Sequence, residues 1–224
     1  MRRSLTSKEV IAEYSFLAAL RFPRRKTKRP VVVAMIGLVG FGKNTVARVL
    51  SREIGAVVIE GDAIRVALRK TKSRYEAARR IAEHAAIETI QRGSNVVIDS
   101  DFADSVKRRE IEKVARGVGA RVVFVRVVCH PDIAIGRILS TKFQSTPDDF
   151  FGGASSAWHG DKRLVGIIVK LREMWRRTPH HYTWSRDGGG AWKLKKIPQV
   201  FATIDATDPG QWRREVRKIA YRLR

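Results

Sequence analysis

The sequence predicts an α/β fold, a five-stranded parallel sheet with helices on both faces. Three observations carry this. Continuous apolar, β-branched runs alternate with helix-period patterns along most of the chain, as strands buried on both sides require. One run, Val31-Val32-Val33-Ala34-Met35-Ile36, breaks into the glycine-rich turn Gly37-Leu38-Val39-Gly40-Phe41-Gly42-Lys43-Asn44-Thr45 and then into a helix pattern. Two further runs lead into a carboxylate: Asp62 follows the second, and Asp99 closes the third.

The elements follow in order. Thr6-Ser7-Lys8-Glu9 has the form of a capping box, and Val10, Ile11, Tyr14, Phe16, Leu17 and Leu20 recur at near-helical spacing, so residues 7–20 are expected to be a helix. The basic stretch over residues 21–30 reads as a solvated connector. Strands are expected at 31–36, 56–60, 95–99 and 121–128, and helices at 43–54, 62–70, 74–91, 104–117 and 132–139, the last behind Pro131. The pattern lapses from about 141 to 195, an inserted region rich in Ser, Asp, Gly and aromatics that contains one helix at 162–176. A fifth strand at 200–205 and a helix at 209–222, with Pro209 near its first position, close the fold.

Bulk properties bound the function. A chain of 224 residues, 44% hydrophobic and 30% charged, suits a soluble α/β domain with some decoration. The longest apolar stretch, Val31 to Phe41, is too short to cross a bilayer, and Glu9 and Glu13 interrupt any secretory leader. The single cysteine, Cys129, excludes an internal disulfide and a multi-cysteine zinc site. A cytoplasmic protein with no membrane partner is expected. The net charge of +23 attracts polyanions, which makes RNA or DNA a candidate partner.

The glycine-rich turn carries the first chemistry. Gly37, Gly42 and Lys43 fit the phosphate-binding pattern G-x-x-x-x-G-K-[ST], in which backbone N–H groups cradle phosphates and the lysine reaches the outer ones. Gly37, Val39, Gly40, Phe41, Gly42, Lys43, Asn44 and Thr45 are therefore the candidate nucleotide-binding residues, and ATP with Mg²⁺ the expected ligands. Asn44 stands where a Mg²⁺-holding hydroxyl belongs, and Thr45 is turned about 100° around the helix from it. Asp62 in isolation reads as a helix cap. At a strand end beside a phosphate loop it reads as the group that takes a proton from an acceptor hydroxyl, with Arg65 one turn on. Asp99 is placed to hold a Mg²⁺ water shell or polarise the acceptor. Asp101 and Asp104 compete with it, Asp104 as the cap of the next helix.

Together, Gly37-x4-Gly42-Lys43, Asp62-x2-Arg65, Val97-Ile98-Asp99 with Arg108 downstream, and the strand ahead of Pro131 and Arg137 resemble the P-loop kinases. The likeness is to the polynucleotide 5′-hydroxyl kinase, zeta-toxin and small-metabolite kinase group. It covers about residues 31–140, and the final strand and helix also fit. The resemblance implies a three-layer P-loop NTPase fold with strand order 2-3-1-4-5. It divides the chain into an N-terminal helix and basic linker (1–30) and a kinase domain (31–224) with a lid at about 141–195. It also implies Lys43 on the ATP phosphates, Asp62 as the acceptor base and Arg65 gripping the acceptor. Mg²⁺ would sit near Asn44 or Thr45 and Asp99, and Arg137 or Lys142 would neutralise charge in transfer. Asn44 is one departure from the family pattern. The lack of a dense arginine lid is another.

The aromatics of the insertion, among them Phe143, Phe150, Phe151, Trp158, Trp175, Tyr182, Trp184 and Trp192, read as the core of a small lid more readily than as a base-stacking surface. His159, His180 and His181 lack a ligand set, and no metal site is expected there. The expected function is an ATP-dependent phosphotransferase acting on a hydroxyl of a small metabolite or nucleic-acid end. The alternative is a nucleotide-responsive nucleic-acid-binding protein with weak catalysis.

Overall fold

The computed structural model describes residues 4–24, 26–142, 150–151, 162–208 and 210–224. Its sheet orders the strands β2 (Ala56–Glu60), β3 (Asn95–Asp99), β1 (Val31–Ile36), β4 (Arg121–Val128) and β7 (Val200–Asp205), every pair parallel. Numbered within the sheet alone, this is the expected order 2-3-1-4-5.

Strand β1 is buried along its whole length, which is why its sequence shows no polar alternation. Its side chains divide by the period of two. Val31, Val33 and Met35 enter a core shared with α2 (Lys43–Ile54), α6 (Pro131–Ser140), α7 (Lys162–His181) and α8 (Trp212–Leu223). Val32, Ala34 and Ile36 enter the opposite core, built with α1 (Ser7–Ala18), α3 (Gly61–Lys70), α4 (Ala78–Gln91) and α5 (Ser105–Gly117). The chain leaves β1 for the edge strand β2, so β3 and β4 flank β1 on opposite sides. Ligands of open α/β sheets bind beyond the strand C-termini at such a switch point.

The capping box of α1 forms. Thr6 N–H donates to Glu9 Oε2 at 2.7 Å, and Glu9 N–H donates to Thr6 Oγ1 at 3.4 Å. Ala12 and Phe16 then seat α1 in the core beside α3, while Val10, Ile11 and Tyr14 face outward. The helix expected at 74–91 begins with a 3-10 turn over Tyr75–Ala77 before α4.

Two features of the insertion differ from expectation. Helix α7 runs past residue 176 to His181, through Pro179. Its end is held by side chains remote in sequence: Arg126 donates to the His181 carbonyl at 3.3 Å, and Lys195 Nζ donates to the Pro179 carbonyl at 2.6 Å. These take up C-terminal carbonyls that a helix would otherwise leave unpaired. After α7 comes an antiparallel hairpin, β5 (Tyr182–Ser185) and β6 (Ala191–Leu194), with Trp184 opposite Trp192. The alternation Tyr-Thr-Trp-Ser and Ala-Trp-Lys-Leu around three glycines is the hairpin signal that the lapse in helical pattern concealed. The aromatics do not share one core. Phe150 and Phe151 pack with Tyr75, and Tyr182, Trp184 and Trp192 form the hairpin cluster. Phe143, Trp158, His159 and Pro209 lie outside the described residues.

Tyr182 ties the hairpin to the sheet, donating its hydroxyl to the Cys129 carbonyl at 3.2 Å. Burial raises its phenol, and although the nearby Arg126 charge opposes this, the group is pushed up to about 12. A raised folded-state value means the unfolded chain ionises first. The stability is complete below about pH 10 and is lost as pH rises toward 12. We expect urea titrations of the wild type to lose about 2–3 kcal/mol over that window beyond the loss shown by Tyr182→Phe. Parallel pH profiles for the two proteins would contradict this. No helix among the described residues is long and apolar enough to cross a membrane.

Candidate active site

The turn between β1 and α2 is shaped by glycines that no other residue replaces without strain. Gly40 and Gly42 have φ of +86° and +81°, in the left-handed region, and a Cβ on Gly40 would stand 2.8 Å from Ile138 Cδ1. Gly42 caps α2, whose first N–H groups have no intrahelical acceptor and open onto the strand ends. There a crevice of about 710 Å³ is lined by Val39, Gly40, Gly42, Lys43, Asn44 and Thr45. Two expected loop residues stand behind it instead. Gly37 N–H donates to Asp101 Oδ1 at 3.2 Å, and Phe41 is buried edge-on against Tyr182 with its N–H on the Leu38 carbonyl. Both support the loop from below, because the chain must turn back toward the sheet to begin α2.

The same crevice collects Asp62, Arg65 and Asp99 from the ends of β2 and β3. Lys43 Nζ lies 3.7 Å from Asp99 Oδ1. Asp62, in the first turn of α3, is half-exposed and accepts from Arg65 Nη1 at 3.0 Å. Asn44 and Thr45 are exposed at the start of α2.

Arg137 lines the crevice, but its guanidinium donates to the carbonyls of Ala206 at 2.7 Å and Thr207 at 3.1 Å. It is committed to holding the loop after β7. Lys142 is exposed and is not among the described lining residues. Further basic residues reach the crevice from α7: Lys170, Arg176 and Arg177. Glu173 gathers both arginines, at 2.8 Å and 3.2 Å, and Arg176 foremost holds its carboxyl below the usual range. Arginines thus reach the crevice from a helix that begins twenty-five residues beyond Arg137. The signal was present as a charged face on α7 (Lys170, Glu173, Arg176, Arg177) at helical spacing.

Asp101, ranked behind Asp99 from sequence, organises the site. It accepts from Gly37 N–H and Ala103 N–H, both at 3.2 Å, and pairs with His181 Nε2 at 3.1 Å. Burial alone would raise this carboxyl. The hydrogen bond and charge of His181, the Lys43 charge and the Gly37 N–H outweigh it and bring the group to about 2. An ionised carboxylate accepts only, so His181 Nε2 is the donor. The phosphate loop and the end of α7 thus meet on one buried side chain.

Neighbouring residues have plainer roles. Asp104 caps α5 by accepting from Lys107 N–H, Asp205 shapes the following turn by accepting from Thr207 N–H, and buried Arg108 fastens the Phe102 and Ala103 carbonyls.

A family model described as an AAA domain matches residues 32–146. The chain belongs to the AAA domain family. The match takes in the phosphate loop, Asp62, Asp99 and Arg137 and ends before α7. No curated protein matches the chain. Solved structures share the fold of this AAA domain. A proposed kinase from Chloroflexus aurantiacus j-10-fl is 18% identical, with 88% of this chain and 97% of that chain covered and a TM-score of 0.52. The APS kinase of Mycobacterium tuberculosis, solved with AMPPNP and APS, is 17% identical, with 87% and 95% covered and a TM-score of 0.50. A structure from the PezAT toxin–antitoxin system of Streptococcus pneumoniae is 14% identical, with 99% and 98% covered and a TM-score of 0.52.

Proposed function

We propose that the protein is an ATP-dependent phosphotransferase that moves the γ-phosphate to an acceptor hydroxyl. One observation carries the reading: a left-handed glycine loop with Lys43 faces Asp62 and Arg65 across a single crevice. The loop N–H groups and Lys43 hold the β- and γ-phosphates. Asp62 takes the proton from the acceptor hydroxyl as its oxygen bonds to the γ-phosphorus. The bond from that phosphorus to the bridging oxygen breaks, and ADP leaves. Arg176 and Arg177, pre-positioned by Glu173, neutralise the charge that spreads over the transferred group.

The residues present fit Mg²⁺. Asn44 or Thr45 would supply an oxygen at the start of α2, and Asp99 one carboxylate beside Lys43. Mg²⁺ commonly takes one or two carboxylates and completes its shell with water and substrate phosphates. Bound there, it would add charge neutralisation on the phosphates. An amide oxygen at position 44 reaches one atom farther than a serine hydroxyl. Asn44→Ser is therefore expected to raise Mg²⁺-dependent turnover several-fold, read by steady-state assay. Unchanged turnover would mean that Thr45 and Asp99 already satisfy the metal.

The test of the reading itself is transfer from Mg·ATP to a broad panel of hydroxyl compounds, with phosphorylated products resolved by ³¹P NMR. Tight ATP binding with no product from any acceptor would refute it.

A further inference from the structure

Next to the main crevice, which Asp62 lines, lies a chamber of about 240 Å³, and the two share Gly61, Arg65, Tyr75 and Ser100. The chamber has an apolar wall of Ile98, Phe102 and Ile111, each at most 9% exposed. Three cations and two carboxylates, Glu76 and Glu83, border it. Arg65 is paired with Asp62, and Arg79 is paired with Glu83 and Glu110. The third, Lys107, is half-buried and has no carboxylate within ion-pair distance among the described residues. Burial foremost draws its ammonium down; the Asp101 and Asp104 charges oppose this, and the Arg177 and Arg79 charges add to it. A half-buried cation whose described carboxylates all lie beyond ion-pair distance is costly, and a bound anion would offset that cost.

We propose that this chamber binds the acceptor, and that the acceptor is a small hydroxylated anion whose carboxylate or phosphate sits on Lys107 while its hydroxyl faces Asp62. This rests on the phosphotransferase reading. The chamber's 240 Å³ gives room for a single ring or short chain. The apolar wall takes the carbon skeleton, and Arg65 and Tyr75 stand at the mouth shared with the phosphates. The transfer step is the one given above, with the acceptor oxygen bonding to phosphorus and its proton passing to Asp62.

The test compares four sets of probes as acceptors with Mg·ATP. These are hydroxy acids (glycerate, gluconate), phosphate esters (glycerol phosphate, glucose phosphate), the matching neutral polyols (glycerol, glucose) and a 5′-hydroxyl oligonucleotide. Direct binding of each is also measured by calorimetry without ATP. Wild type, Lys107→Met and Lys107→Arg are compared, with circular dichroism to confirm that each folds. Transfer or binding confined to an anionic set is expected, and which of the two sets responds identifies the anion. Lys107→Met is expected to weaken KM and Kd by about 10- to 100-fold, the worth of one charge-assisted hydrogen bond, with a smaller change in kcat. Lys107→Arg should restore most of the preference for anions.

Phosphorylation of neutral polyols or the oligonucleotide, with a KM indifferent to Lys107→Met, would overturn the chamber assignment and leave the kinase reading standing. Lys107-dependent binding of anions with no transfer to any probe would do the reverse. Absence of both binding and transfer for every anionic probe would also overturn the assignment.

Discussion

Asp62→Asn is expected to slow phosphate transfer by about 10²–10⁴-fold, the usual worth of a positioned general base, while ATP affinity stays within about twofold. The substitution keeps the shape of the side chain and an oxygen for Arg65, which now donates to the carboxylate at 3.0 Å. It removes only the capacity to take a proton. Asp62 stands on α3 at the end of β2, across the crevice from the phosphate loop, so the nucleotide should not sense the change directly. Single-turnover kinetics with Mg·ATP, alongside binding of a non-hydrolysable analogue, separates the two effects. A transfer rate within threefold of wild type would remove Asp62 from the chemistry. A matching loss of nucleotide affinity would place it in the donor site instead.

Asp101→Ala is expected to destabilise the fold by about 3–5 kcal/mol, because two buried donors, Gly37 N–H and His181 Nε2, and the half-buried Ala103 N–H lose their acceptor at once. Each buried donor left unpaired costs about 1–3 kcal/mol, and local relaxation recovers part of the sum. For a chain of this size the thermal midpoint should fall by roughly 10 °C. Asp101→Asn keeps an oxygen for the two backbone N–H groups and turns an amide toward His181, so its loss should be clearly smaller. ATP affinity should fall with stability in the alanine variant, since Gly37 anchors the start of the phosphate loop. Urea denaturation of both variants checks the order. A cost below 1 kcal/mol for Asp101→Ala would show that the pair does not hold α7 to the loop.

The elements that sequence revealed are those whose signal is local. β1 is buried on both faces, so its six residues are all apolar and its boundaries read directly. Gly40 and Gly42 are needed for backbone geometry, and Asp104 caps the helix it precedes. Asp62 and Asp99 close or follow strands, so the parallel sheet alone brings them to one end. Arg137 shows the limit. Its position suggested a role on phosphate, but its guanidinium goes to carbonyls near residue 206, some seventy positions away.

Composition, apolar periodicity and the glycine spacing determined that this chain folds as a parallel α/β sheet with a phosphate-type loop at its centre. These features depend on neighbours a few residues apart, where covalent geometry and burial act position by position. Only the tertiary structure decided what surrounds that loop. It seated His181 on Asp101 across eighty positions, turned the charged face of α7 into the crevice and set Lys107 beside an apolar wall with no carboxylate at ion-pair distance among the described residues. A side chain's partners there are set by how helices pack on the sheet. Spacing along the chain carries no record of that, and the same lysine or histidine on an outer face would read identically.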